Sequence, residues 1–125
     1  MKKIISTDKA PAAIGPYSQA IEVGNMVFTS GVIPVVPSTG EIPEGIEAQA
    51  KQAIGNLIAL LSEAGVAADN VIKTTVFIKN MDDFAMVIAV YSEFFTKDCP
   101  ARSCVEDARL PKDVLIEIEA IGLKN

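Results

Sequence analysis

The stretch PARSCVEDARLPKDVLIEIEA, residues 100–120, holds two runs of strand character around one proline-centred break. Residues 103–108 read as a strand, and 109–113, with Pro111 inside, as a connection. Residues 114–122 read as the last strand. There Glu117 and Glu119 alternate with Ile116, Ile118 and Ala120, the period of two expected of a sheet with one covered face. Arg102 stands where the chain enters the first of these strands. If the two strands pair as a hairpin, Glu117 approaches Arg102 across the sheet.

Residues 70–80, NVIKTTVFIKN, are rich in β-branched side chains and read as a further strand. Residues 20–31 read as two short strands about a Gly24-Asn25 turn. Between these segments, 46–64 has helical periodicity, with Ala50, Ile54, Leu57, Leu61 and Ala64 on one face and Gly65 just past the end. A second helix, capped by Asp82 or Asp83, runs to about Thr96 and turns Phe84, Val87, Ile88, Tyr91, Phe94 and Phe95 to the core. The order ββ-α-β-α-ββ predicts an α+β fold, a mixed sheet with both helices on one face. No third helix remains to cover the other face, so association through the sheet is physically reasonable.

A chain of 125 residues, half of them hydrophobic, is long enough for one domain, 1–125, with a real core. Its 11 basic and 16 acidic side chains give a net charge of −5. That offers no footprint for nucleic acid and no attraction to anionic lipid. No segment reaches the roughly 20 unbroken apolar residues of a membrane span, and the basic start MKKIISTDKAPA lacks an apolar signal core. Cys99 and Cys104 read as reduced thiols of a cytoplasmic protein.

The sequence contains no histidine. That removes the commonest general base and transition-metal ligand, and excludes a Ser-His or Cys-His nucleophile. Chemistry falls to Arg, Glu, Asp, Tyr, Ser, Cys, Lys and backbone groups. The guanidinium of Arg102 stays charged and suits bidentate capture of a carboxylate. The plainer role for it is a structural ion pair. Cys104 reads as a buried apolar residue, with a thiol that the neighbouring arginine is placed to acidify.

Taken together the segments resemble the RidA/YjgF/UK114 family of imine deaminases. APAAIGPYSQAI and VFTSGVIP match its N-terminal half, KTTVFIKNMDDF its middle, and ARSCVEDARLPKD with IEIEAI its end. The resemblance implies a chorismate-mutase-like homotrimer packed through its sheets, with active sites in the clefts between subunits. It also implies cofactor-free and metal-free hydrolysis of 2-imino acids, derived from enamines such as 2-aminoacrylate, to 2-keto acids and ammonia. By matching position, Arg102 would bind the substrate carboxylate and Glu117 would position or activate water. Tyr17, Ser30, Gly31 and the backbone at Cys104 would line the cleft.

Some positions depart from the family pattern. Val32 replaces a common glutamine, Ile88 a common asparagine near the cleft, and Asp107 an apolar residue. Gly55 and Ile58 in the first helix, and Met86 and Ala89 in the second, are small or apolar where relatives often carry charge. They suggest an added interface on the helix face. The alternative reading is therefore a trimeric scaffold or assembly component, engineered or naturally adapted, with a further protein partner and reduced or no catalysis.

Overall fold

The computed structural model describes residues 1–125. Its six strands are β1 (Lys3–Ile5), β2 (Ala20–Val23), β3 (Met26–Thr29), β4 (Val71–Ile78), β5 (Ala101–Glu106) and β6 (Ile116–Leu123). Its helices are α1 (Ile46–Glu63) and α2 (Phe84–Phe94). The strands form one sheet in the order β1-β2-β3-β6-β4-β5. Every neighbouring pair is antiparallel except β4 and β5. The architecture is the expected α+β one.

The expected hairpin between the last two strands does not form. β5 runs parallel to β4, with Thr74 opposite Arg102, and β6 lies on β4's other side with Phe77 opposite Glu117. Parallel neighbours need a crossover, and α2 supplies it between β4 and β5. The strand boundaries shift as well. Arg102 lies inside β5, and Val114 belongs to the connection before β6. The short first strand, β1, was not foreseen; its three residues pair with β2 from Lys3–Glu22 to Ile5–Ala20.

α1 buries the stripe that its periodicity predicts: Ala50, Ile54, Leu57, Leu61 and Ala64 are buried, joined by Ala53 and Leu60. It packs on β6 and on α2. It ends in a paired hydrogen-bond motif, Val66 N–H to the Leu61 carbonyl at 2.9 Å and Gly65 N–H to Ser62 at 3.0 Å. Gly65, at φ +82°, makes the reversal. Gly24, at φ +60°, likewise opens the two-residue turn of the β2-β3 hairpin, where Val23 pairs with Met26.

α2 keeps most of its expected face, with Phe94 also packed on the core, and departs from expectation in its capping bond and at Phe84, Ile88 and Val90. Asp83 occupies the N-cap position without a side-chain bond. The capping side chain is Asn80, which accepts from Asp82 N–H at 2.9 Å in the short 3-10 turn ahead of the helix. Val87, Val90, Tyr91 and Phe95 form the buried stripe, while Ile88 is half-buried and Phe84 exposed. Of the four candidate helix-face residues, Ile58 packs partly against the core, Gly55 is half-buried, and Met86 and Ala89 are exposed.

Alternation decides which side chains reach which face. Ile116, Ile118 and Ala120 of β6 and Thr74, Val76 and Ile78 of β4 are buried towards the helices. The opposite face carries Glu117, Glu119, Phe77, Phe28 and Val105, and no element of the chain covers it. Ile4, Val23, Phe28 and Val105 are exposed there.

At Gly65 a Cβ would meet nothing closer than Lys124 Cε at 3.6 Å, so substitution costs conformational energy alone. Gly65→Ala is expected to lower stability by about 1 kcal/mol, read as a reduced urea midpoint with an unchanged slope.

Candidate active site

β3 and β6 pair from Met26–Leu123 to Phe28–Ile121, after which Thr29 Oγ1 accepts the Ala120 N–H at 3.0 Å. The chain then leaves the ladder through Ser30 and Gly31 and rejoins it at a single bridge, Val32 to Ile118. That departure opens a cavity of about 720 Å³ beside the first residues of β6. Tyr17, Ser30, Gly31, Val32 and Glu117 all line it.

The Glu117 carboxylate lies against Gly31. A Cβ on Gly31 would stand 2.7 Å from Glu117 Cδ and closer still to Oε2. The glycine is thus required by a neighbour's carboxylate and not by a turn. Glu117 is half-buried and makes no ion pair. Burial pushes its pKa up, and the negative charges of Glu119 and Asp107 push it further in the same direction. The result is a carboxyl group biased towards its protonated form, without an ion-pair partner in its own chain, facing a mainly apolar wall.

The loop carrying Tyr17 is fixed from below. Ser30 Oγ donates to the Ser18 carbonyl at 2.6 Å, and Ser30 N–H donates to Gln19 at 2.9 Å. Gln19 is buried and clamps the N-terminal segment. Its Oε1 accepts the Thr7 N–H at 2.7 Å, and its Nε2 donates to the carbonyls of Thr7 at 3.0 Å and Pro11 at 2.7 Å. Asn56, buried on α1, donates to the carbonyls of Ile33 and Val35 on the opposite wall. Sequence reasoning missed both amides. Asn56 carries a signal, since it falls beside the apolar stripe of α1.

Arg102 and Cys104 do not join this cavity. Their register with Thr74 and Val76 sets them on the helix-facing side of the edge strand, whereas Glu117 lies on the opposite face two strands away. Arg102 makes no ion pair. Its guanidinium carbon stands 5.6 Å from the ring centroids of both Phe84 and Tyr91, within cation-π range. Tyr91 is held in turn by a 2.7 Å hydrogen bond between its hydroxyl and Thr74 Oγ1. The plainer expectation of an intrachain ion pair for Arg102 is therefore not met. Burial raises the Cys104 thiol pKa and outweighs the lowering by Arg102, which removes the argument for a reactive thiolate.

The three unusual positions separate. Val32 is buried and lines the cavity, Ile88 lies on α2 away from it, and Asp107 is half-buried just after β5 with no ion-pair partner. Asp107 donates its N–H to the Ile78 carbonyl at 2.8 Å. Its charge registers at Glu117.

The sequence model of the family described as endoribonuclease L-PSP matches residues 7–124. The chain belongs to the endoribonuclease L-PSP family. Among its relatives, a RutC family protein of Pasteurella multocida is 58% identical, with 99% of each chain covered. The 2-iminobutanoate/2-iminopropanoate deaminase of Escherichia coli is 55% identical, again over 99% of both. The crystal structure of Escherichia coli TdcF with bound serine shares 51% identity and a TM-score of 0.94, covering 98% of this chain and 99% of that one. The L-PSP fold is thus common to these chains from end to end.

Because folding raises the affinity of Glu117 for its proton, the residue favours the folded state below the ordinary glutamate range. That contribution is lost as pH rises through the raised folded value. Glu117→Gln cannot ionise. It is expected to melt above the wild type at about pH 7.5, with the gap narrowing towards about pH 4, in thermal scans across pH.

Proposed function

We propose that the protein is a cofactor-free imine deaminase, hydrolysing 2-imino acids to 2-keto acids and ammonia in sites shared between copies of a homotrimer. The observation that carries this reading is Glu117: half-buried, unpaired, raised in pKa and packed on Gly31 in an open cavity. The relatives named 2-iminobutanoate/2-iminopropanoate deaminase, at 54–55% identity over nearly the whole chain, support the substrate class.

The chemistry asks little of a protein. In the iminium form of a 2-imino acid, C2 is already electrophilic. Glu117 orients a water and takes its proton as the oxygen bonds to C2. The tetrahedral carbinolamine then receives that proton on nitrogen. The C–N bond breaks to release ammonia, the freed Glu117 carboxylate takes the remaining hydroxyl proton and passes it to the ammonia, and the products are the 2-keto acid and ammonium. Positioning and charge placement provide the acceleration. Arg102 holds the substrate carboxylate through paired hydrogen bonds, Tyr17 and Ser30 shape the pocket, and Cys104 contributes backbone.

Arg102 and Glu117 lie on opposite sides of one chain's sheet, so one substrate meets both only if a second copy brings its β5 edge to the cavity. The uncovered apolar face supplies the reason for copies to meet. The family description speaks of ribonucleases, but a net charge of −5 and the absence of histidine favour the imine reading for this chain.

The assay is hydrolysis of the imine generated from serine or threonine by a dehydratase. Arg102→Ala and Glu117→Gln are each expected to lose at least about 100-fold in turnover. Refolded together in equal amounts, they should recover about one quarter of the wild-type rate, the share of intact sites in randomly mixed cyclic assemblies. No acceleration by the wild type would sink the deaminase reading, and no recovery on mixing would sink the shared site. Light scattering should give three times the 13.3 kDa chain mass; larger species would favour assembly through the helix face.

Gly31→Ala must push the Glu117 carboxylate aside, a displacement that a flexible side chain absorbs cheaply. Turnover is expected to fall by about 10- to 100-fold with the melting temperature nearly unchanged, as kinetics and thermal scans on one sample will show.

A further inference from the structure

The cavity that holds Glu117 contains one other residue charged at neutral pH, Lys112. Lys112 sits in a short turn between two buried anchors, Leu110 and Val114. The turn is clamped by Arg109, whose Nε donates to Asp113 Oδ1 at 2.9 Å, and by Asp113 N–H to the Leu110 carbonyl at 3.0 Å. Within it the backbone is strained. Lys112 has φ +55° and ψ +23°, and Asp113 follows at φ +55°. A left-handed conformation is free for glycine and mild for asparagine or aspartate, but lysine gains nothing from it. A cation therefore occupies a position where glycine would be the easier residue.

The lysine is also unpartnered. The chain's ion pairs join Lys51 to Glu47, Arg109 to Asp113 and Lys124 to Glu22, so the Lys112 ammonium is committed to no carboxylate. The influences on Glu117 are burial, Glu119 and Asp107, so the two residues line one cavity without forming a pair. An anionic substrate approaching Glu117 meets an acidic chain and the Glu117 carboxyl group, with Glu119 and Asp107 near enough for their charge to act on it. Arg102 of the same chain lies on the other face of the sheet and does not offset them there.

The geometry points to Lys112 as a substrate-binding residue, a second cation that draws 2-imino and 2-keto carboxylates into the cavity from the chain that supplies Glu117. This deepens the deaminase reading and rests on it for the nature of the anion. It separates two roles that one arginine would otherwise carry: Arg102 orients the bound acid, and Lys112 raises the rate and affinity of capture. The strained turn holds Lys112 at the wall of the cavity. Being exposed, it acts through a screened field, so its effect is modest and depends on salt.

The test compares wild type, Lys112→Gln and Lys112→Glu at about 20 mM and about 500 mM sodium chloride, the limits of weak and strong screening. Two readouts are used: turnover of dehydratase-generated 2-iminobutanoate, and binding of 2-oxobutanoate followed by NMR titration. At low salt Lys112→Gln is expected to weaken 2-oxobutanoate binding and raise KM by about 3- to 10-fold, and Lys112→Glu by more, with kcat within about twofold. At high salt the three proteins should converge. Lys112→Gly provides the backbone control: it should melt above the wild type yet show the same loss as Lys112→Gln. Equal affinities at low salt, a loss that persists undiminished at high salt, or a fall in kcat alone would each overturn the assignment. A wild type that binds 2-oxobutanoate without turning over the imine would remove the deaminase reading, and the ratio of affinities would still decide the role of Lys112.

Discussion

The central strand β6 must bury Ile116, Ile118 and Ala120 against the helices, and the pleat then leaves Glu117 and Glu119 no choice of side. A slip of one residue would exchange the two sets and place two carboxylates in the core. Much of the site follows from this constraint. Val32 bridges to Ile118 because β6 presents its free edge there. The departure of Ser30 and Gly31 from the ladder leaves room for a carboxylate, and Gly31 is the residue that can yield that room.

The cavity walls are loops, and loops hold a shape only when their backbone groups find partners. Buried carboxamides serve that purpose. Gln19 ties the segment from Thr7 to Pro11 beneath Tyr17, and Asn56 ties Ile33 and Val35 to α1. Gln49 donates to the Pro43 carbonyl and accepts the Leu115 N–H, joining the approach to α1 with the approach to β6. One planar group that both donates and accepts can secure two strands of chain at once. Losing one would leave several buried backbone groups without partners, a larger penalty than one missing hydrogen bond.

The fold was legible in the sequence where periodicity was strong. The stripe of α1, the turn at Gly24 and the alternation along β6 each followed from residue spacing. Pairing was less legible. Nothing in residues 100–120 distinguishes a hairpin from two strands kept apart by β4, because local pattern carries no record of which strand lies between. The face of α2 was legible in part: Val87, Tyr91 and Phe95 are buried and Phe94 packs on the core as their spacing predicts, but nearly every position is apolar, so the wheel gives no contrast that would exclude Phe84 or add Val90. Within the chain, Tyr17, Ser30, Gly31 and Glu117 line one cavity, while Arg102 and Cys104 stand apart from it. The amides were invisible as clamps because a polar residue in or beside a loop looks solvated until its partners are known.

The placement of Arg102 has a consequence for the free chain. β5 is an outer strand whose side chains are almost all exposed, and its outward backbone donors and acceptors form a template on which another strand can add. Arg102 and Glu106, one near each end, place charge on that margin and discourage unspecific growth, as gatekeeper residues do beside unavoidable β segments. An outer strand that carries a charged residue near each end is a poorer template for unspecific strand addition than an apolar one of the same length.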